Sequence, residues 1–147
     1  MTTYQQSTRK TILIVEDDVK TARALAIRLE AAGYEVLTAL DGVQGVRRAL
    51  DHRPDLIISD IWLPVGIGFS VAQRLQRAGL GNIPVVFMTA SRLPGLKEAA
   101  IQLGAAAYFE KPYDPAALLR TIVCVLDTTA NHRDHPGPHA HIQGITA

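Results

Sequence analysis

The sequence is poor in cysteine, in long apolar runs and in charge of one sign. Each shortage closes off a class of function. Cys124 is the only cysteine, so no internal disulfide can form, and a cytoplasmic setting is expected. Flanked by Ile122, Val123, Val125 and Leu126, it reads as a small hydrophobe of the core. No apolar run comes near the roughly 20 residues that cross a bilayer. Met1 to Thr11 is polar and has no apolar segment of the kind that directs secretion. The net charge is only +1, and no basic stripe alternates with aromatics. Neither a direct nucleic-acid surface nor a membrane partner is expected. What remains is 147 residues, 48% of them hydrophobic, enough for one domain with a real core.

That core is written as short apolar runs separated by helical patterns. Ile12 to Val15 is a buried strand that stops abruptly at Glu16, Asp17 and Asp18. Val19, Ala22, Leu25, Ala26, Leu29 and Ala32 then recur at helical spacing, and Gly33 stops the helix. Tyr34 to Ala39 contains polar Glu35 and Thr38 and suits a strand at the sheet edge. Asp41 caps a helix carrying Val43, Val46, Ala49 and Leu50 on one face. Leu56 to Ser59 is the third strand, ending at Asp60, with Pro64 and Gly68 breaking the chain soon after.

Phe69, Ala72, Leu75 and Ala78 mark a third helix, closed by Gly79. Val85 to Met88 is a fourth strand ending at Thr89. Pro94 starts a helix with Leu96, Ala99, Ala100 and Leu103. Ala105 to Phe109 is a fifth strand, and Asp114–Pro115 opens a last helix with Leu118, Leu119, Ile122, Val125 and Leu126. Strict alternation of strand and helix implies an α/β fold: a doubly wound, five-stranded parallel sheet with helices on both faces.

In the order 2-1-3-4-5, strands one and three are neighbours at the switch point, where ligands collect beyond the carboxyl ends. Glu16 and Asp17, Asp60, Thr89 and Lys111 therefore meet along one edge. Three carboxylates so close repel unless a cation sits among them. Oxygen-only ligands favour a hard cation, Mg2+ in a cytoplasm. Lys111 is suited to pair with Asp60 and then with an incoming anion, and the Thr89 hydroxyl can donate to that anion. These parts describe phosphoryl transfer to a carboxylate, with Asp60 as nucleophile forming an acyl phosphate.

The sequence resembles the receiver domain of bacterial two-component response regulators over roughly Lys10 to Asp127. The matching pieces, in order, are Ile-Leu-Ile-Val-Glu-Asp-Asp (12–18), Ser-Asp-Ile-Trp-Leu-Pro (59–64), Met-Thr-Ala (88–90) and Phe-Glu-Lys-Pro (109–112). The resemblance implies a flavodoxin-like receiver fold with Asp60 as phosphoacceptor. It implies Asp17 as a direct Mg2+ ligand and Glu16 as a partner acid acting largely through water. The main-chain carbonyl of Trp62 matches a further ligand. Thr89 and Lys111 match the phosphate-contacting pair, Tyr108 the aromatic switch residue, and the Lys111–Pro112 bond is expected to be cis. The implied phosphodonor is a sensor histidine kinase or a histidine phosphotransfer protein, and the output is a separate protein.

The chain also departs from the family pattern. Ile67 stands before Gly68 where such loops carry an acid. Ala106 and Ala107 replace two acids that the commonest dimeric DNA-binding subclass uses to pair. The expected layout is a flexible N-terminus (1–9), a receiver domain (10–127) acting alone, and a flexible His-rich tail (128–147). No recognisable DNA-binding segment follows residue 127. The apolar stretch Val123–Leu126 is expected to support self-association into a homodimer.

Blander readings exist for several residues. Asp18 is assigned as a helix cap. Tyr108 reads equally as a core aromatic. The spacing of His132, His135, His139 and His141 resembles a metal site but lacks an apolar frame to hold ligands. Two rival functions remain. One is a degenerate receiver serving only as an interaction module, against which Asp17, Asp60, Thr89 and Lys111 speak. The other is an aspartyl-nucleophile phosphohydrolase, which needs an acid where Trp62 stands.

Overall fold

The computed structural model describes residues 9–62 and 68–134. The Pro64–Ile67 part of the loop after the third strand lies outside them, as do residues 1–8 and 135–147. The elements alternate as the periodicity implies. They are β1 (Thr11–Val15), α1 (Val19–Ala31), β2 (Glu35–Ala39), α2 (Gly42–His52) and β3 (Leu56–Asp60). The second half follows with α3 (Gly68–Arg77), β4 (Val85–Thr89), α4 (Leu96–Gln102), β5 (Ala107–Glu110) and α5 (Pro115–Asp134). The sheet order is β2-β1-β3-β4-β5 and every pairing is parallel.

Because both sheet faces are covered, the central strands are apolar at nearly every position. Successive side chains point to opposite faces. Ile12, Ile14, Leu56, Ile58, Val86 and Met88 pack against α1 and α5 through Leu25, Leu29, Leu118 and Ile122. Leu13, Val15, Ile57 and Phe87 pack on the other face against Ala49, Ala72, Leu75 and Ala100. Truncating any of the fully buried side chains costs about 2–5 kcal/mol. This stiff double core fixes where the carboxyl ends of the strands lie.

Local chemistry sets the helix ends. The Asp18 carboxylate accepts from the backbone N–H groups of Lys20 and Thr21 and so caps α1. Asp41 does the same for α2 through Gln44. Gly33, at φ 97°, supplies the left-handed turn after α1.

Four details differ from the sequence expectation. On α2 the buried stripe is Gly42, Gly45 and Ala49, whereas Val43 and Leu50 are exposed. A Cβ on Gly45 would stand 2.9 Å from Cγ2 of Val15. The small residues let α2 approach β1 closely, and the larger ones rotate outward. Helix α4 begins at Leu96 after Gly95 in a left-handed conformation, not at Pro94. Helix α5 runs past Asp127 to Asp134, and within it Thr128 and Thr129 each donate a hydroxyl hydrogen bond to the carbonyl four residues back. Cys124 is exposed rather than packed in the core.

Candidate functional site

The carboxyl edge of the sheet assembles the site through ladder bonds that continue past the strands. The Glu16 N–H donates to the Ala39 carbonyl at 3.0 Å, the Ile61 N–H to Met88 at 3.1 Å and the Lys111 N–H to Thr89 at 2.8 Å. Glu16 and Lys111 are thus fixed by their backbones, with Asp60 between them as the last residue of β3. The Lys111–Pro112 peptide is cis, as expected.

Lys111 Nζ lies 3.0 Å from Glu16 Oε2 and 3.0 Å from Asp60 Oδ2. The second Asp60 oxygen accepts from the Trp62 N–H at 3.0 Å. The second Glu16 oxygen accepts from the Asp18 N–H at 3.2 Å. Both carboxylates are therefore oriented at both oxygens, and both are largely buried, with side chains 8% and 12% exposed. Asp17 is exposed at the rim. Ligand oxygens of Glu16, Asp17 and Asp60 lie within 4.8 Å of one another.

The charges do not balance. Three acids face one ammonium, a surplus that a dication would neutralise. Burial first, and then the hydrogen bond and charge of Asp60, raise the Glu16 pKa from 4.5 to about 7, against the lowering effect of Lys111. Burial depresses Lys111, yet its bonds and charges with Asp60 and Glu16 outweigh this and raise its pKa. A proton on Glu16 and a metal ion are alternative ways to relieve the same repulsion.

Thr89 is fully buried at the end of β4, and its hydroxyl accepts from the Ser91 N–H at 3.0 Å. Tyr108 stands opposite Phe87 in the strand register and packs, half-buried, on the α2–α3–α4 side of the sheet. Burial raises its phenol pKa, aided by Glu110 and Glu98. The Trp62 indole is 45% exposed. Sequence reasoning missed Tyr113, which lines a small cavity with Glu16, Asp60 and Lys111. Its ring meets Phe109 edge-on at 6.1 Å. Its place just beyond Lys111–Pro112 was the available signal. His132 falls on the last turn of α5, while His135, His139 and His141 lie outside the described residues.

A doubly wound α/β domain of strand order 2-1-3-4-5 belongs to the flavodoxin-like class, whose ligands bind at the edge where the acids and lysine gather here. The family match makes it specific. Residues 12–123 match the response regulator receiver domain, and the chain belongs to that family. Receiver domains are the phosphoacceptor modules of two-component systems. The chain is 38% identical over 121 residues to the phosphate regulon transcriptional regulatory protein PhoB of Pseudomonas aeruginosa, covering 82% of this chain and 53% of that protein. It is 36% identical over 114 residues to the polar-differentiation response regulator DivK of Brucella anthropi, covering 77% and 93%. A chemotaxis response regulator of Vibrio cholerae superposes with a TM-score of 0.73 at 32% identity, covering 80% of this chain and 99% of that one. The chain spans about half the length of PhoB and of other regulators it matches. Among the described residues, no helix is long and apolar enough to cross a membrane.

Proposed function

We propose that this chain is a phosphoacceptor switch of a two-component pathway or phosphorelay, and that Asp60 receives the phosphoryl group. The observation that supports this most is the treatment of Asp60. One oxygen is pinned by the Trp62 amide and the other faces an ammonium at 3.0 Å. A merely structural acid at a strand end has no need of both. Asp60 attacks the phosphorus of a phosphohistidine on a sensor histidine kinase or histidine phosphotransfer protein. The P–N bond breaks, a P–O bond forms, and the departing imidazole takes a proton from water.

Lys111 then turns its ammonium from Asp60 to the new phosphoryl oxygens. The Thr89 hydroxyl keeps its own proton while accepting from Ser91, so it is free to donate to the phosphoryl group. Its movement, followed by Tyr108, alters the α4–β5–α5 face that a separate output protein reads. The oxygen-only donor set fits Mg2+, held by Glu16, Asp17, Asp60 and the Trp62 main-chain carbonyl. Bound there, it supplies charge neutralisation at the equatorial oxygens. Attack of water on the acyl phosphate resets the switch, so the chain acts on itself and not as a turnover enzyme. Its working place is the cytoplasm.

The test is labelling by acetyl phosphate. The chain should form an adduct that requires Mg2+ and disappears in Asp60→Asn, with the fold retained. Undiminished labelling of Asp60→Asn overturns the assignment. Phosphate release without a stable adduct indicates the phosphohydrolase, and no reaction indicates an interaction module.

A further inference from the structure

Among the described residues, helix α5 has an exposed face with an internal symmetry. Leu118, Ile122 and Leu126 are buried against the sheet, whereas Ala116, Arg120, Val123, Cys124 and Asp127 are exposed. At 3.6 residues per turn these five share one outward stripe. Arg120 and Asp127 lie along its centre line, with Val123 on one flank and Cys124 on the other. Val123, a large apolar side chain, is 49% exposed.

The point midway between Val123 and Cys124 is also midway between Arg120 and Asp127. Turning a second α5 end for end about that point sets Arg120 opposite the partner's Asp127, and Asp127 opposite the partner's Arg120. Val123 then lies beside the partner's Val123, and Cys124 beside the partner's Cys124. This is the self-complementarity that a two-fold interface demands. We propose that two copies of this chain pair through α5, antiparallel, about a two-fold axis between Val123 and Cys124.

The charges choose the direction. A parallel pair in register would set Arg120 against the partner's Arg120 and Asp127 against the partner's Asp127, which is repulsive twice over. Among the described residues, Arg120 pairs with Asp114 at 3.9 Å, with the two side chains 71% and 64% exposed. Such a contact is worth little and leaves Arg120 able to turn outward. Ala106, just before β5, and Ala107, its first residue, offer no acids, and the charges on this stripe are those of α5 itself. Two apolar side chains per copy make a small interface, and the dimer belongs to the weak, reversible class. The pairing does not depend on the chemistry at Asp60 and is tested separately.

The test is sedimentation equilibrium of the full chain between roughly 1 µM and 1 mM, the range of weak pairs. The wild type should pass from monomer to dimer. Arg120→Asp and Asp127→Arg should each stay monomeric, because each sets like charges opposite one another. Circular dichroism should show both variants folded, since both positions are exposed. Mixing the two variants should restore a heterodimer, because each supplies the charge the other lost. At ordinary helix separations, facing Cys124 Cα atoms come to about 6 Å, within disulfide reach. Diamide should therefore cross-link the wild type but not Cys124→Ser. The proposal is overturned by a wild type that stays monomeric throughout, by single variants that associate as well as the wild type, by a mixture that stays monomeric, or by a dimer that diamide cannot cross-link.

Discussion

Replacing Glu16 with glutamine tests the electrostatics of the pocket most directly. Buried Glu16 titrates near pH 7 in the folded chain, against an ordinary value of 4.5. Between those two pH values the native state keeps a proton that the unfolded state has released. The unfolded state binds fewer protons there, so stability falls as pH rises. Below about 4.5 both states are protonated and the effect vanishes. Above about 7 the loss is complete. The interval between 4.5 and about 7, at about 1.4 kcal/mol per pH unit, sets a ceiling of about 3 kcal/mol.

Glutamine keeps the shape, accepts from Lys111 and donates to Asp60, but does not titrate. Urea unfolding of both proteins, free of divalent cations and in steps from about pH 5 to 8, gives the difference in unfolding free energy. Titrating groups distant from Glu16 cancel in that difference. It should shift in favour of Glu16→Gln by up to about 3 kcal/mol across the range, with no segment steeper than one proton allows. Adding Mg2+ at the alkaline end should stabilise the wild type and narrow the gap, because a dication then neutralises the ionised acids. A difference that stays constant with pH would refute the reasoning, and Glu16 would then be ionised throughout.

Three further outcomes are expected. Lys111→Met removes the ammonium that lies 3.0 Å from both acids; it should cost about 1–3 kcal/mol above pH 7 without metal, less than a fully buried pair would lose, and equal urea midpoints would contradict it. Trp62→Asn places an amide two residues after Asp60, where it can hold water in line with the acyl phosphate. Its phosphorylated form should decay about tenfold faster after donor removal, or about 1.4 kcal/mol in the barrier, and equal or slower decay would show that Trp62 does not shield the site. Gly45→Ala gains about 1 kcal/mol in helix propensity but drives a Cβ to within 2.9 Å of the stiff, fully buried Val15. A net loss of about 1–2 kcal/mol is expected, and a raised melting temperature would be the contrary result.

The alternation of strands and helices was legible in the chain because parallel strands buried on both faces must be apolar throughout, and Ile12–Val15 and Leu56–Ile58 are. Gly33 and Asp18 marked their helix ends because a left-handed turn and a side-chain cap are local requirements. The acids at the ends of β1 and β3, and Lys111 beyond β5, announced themselves by interrupting or following apolar runs. Which face of α2 is buried was not legible. Val43 and Leu50 look like core residues until the close approach at Gly45 makes small residues the better neighbours of Val15. Cys124 misled in the same way, because an apolar stretch on a long helix does not reveal which of its sides meets the sheet.

Sequence by itself thus determined the kinds of element, their order, and the residue types at the strand ends, all of which follow from periodicity and local conformational preference. Only the tertiary structure decided that Lys111 bridges Glu16 as well as Asp60, that the Trp62 amide holds the other Asp60 oxygen, and that Tyr113 joins the pocket. The two Lys111 contacts join the ends of strands far apart in the chain, and the Trp62 contact depends on the turn taken just after Asp60. Strand order and register in the sheet set the Lys111 distances, and no repeat along the chain encodes that separation.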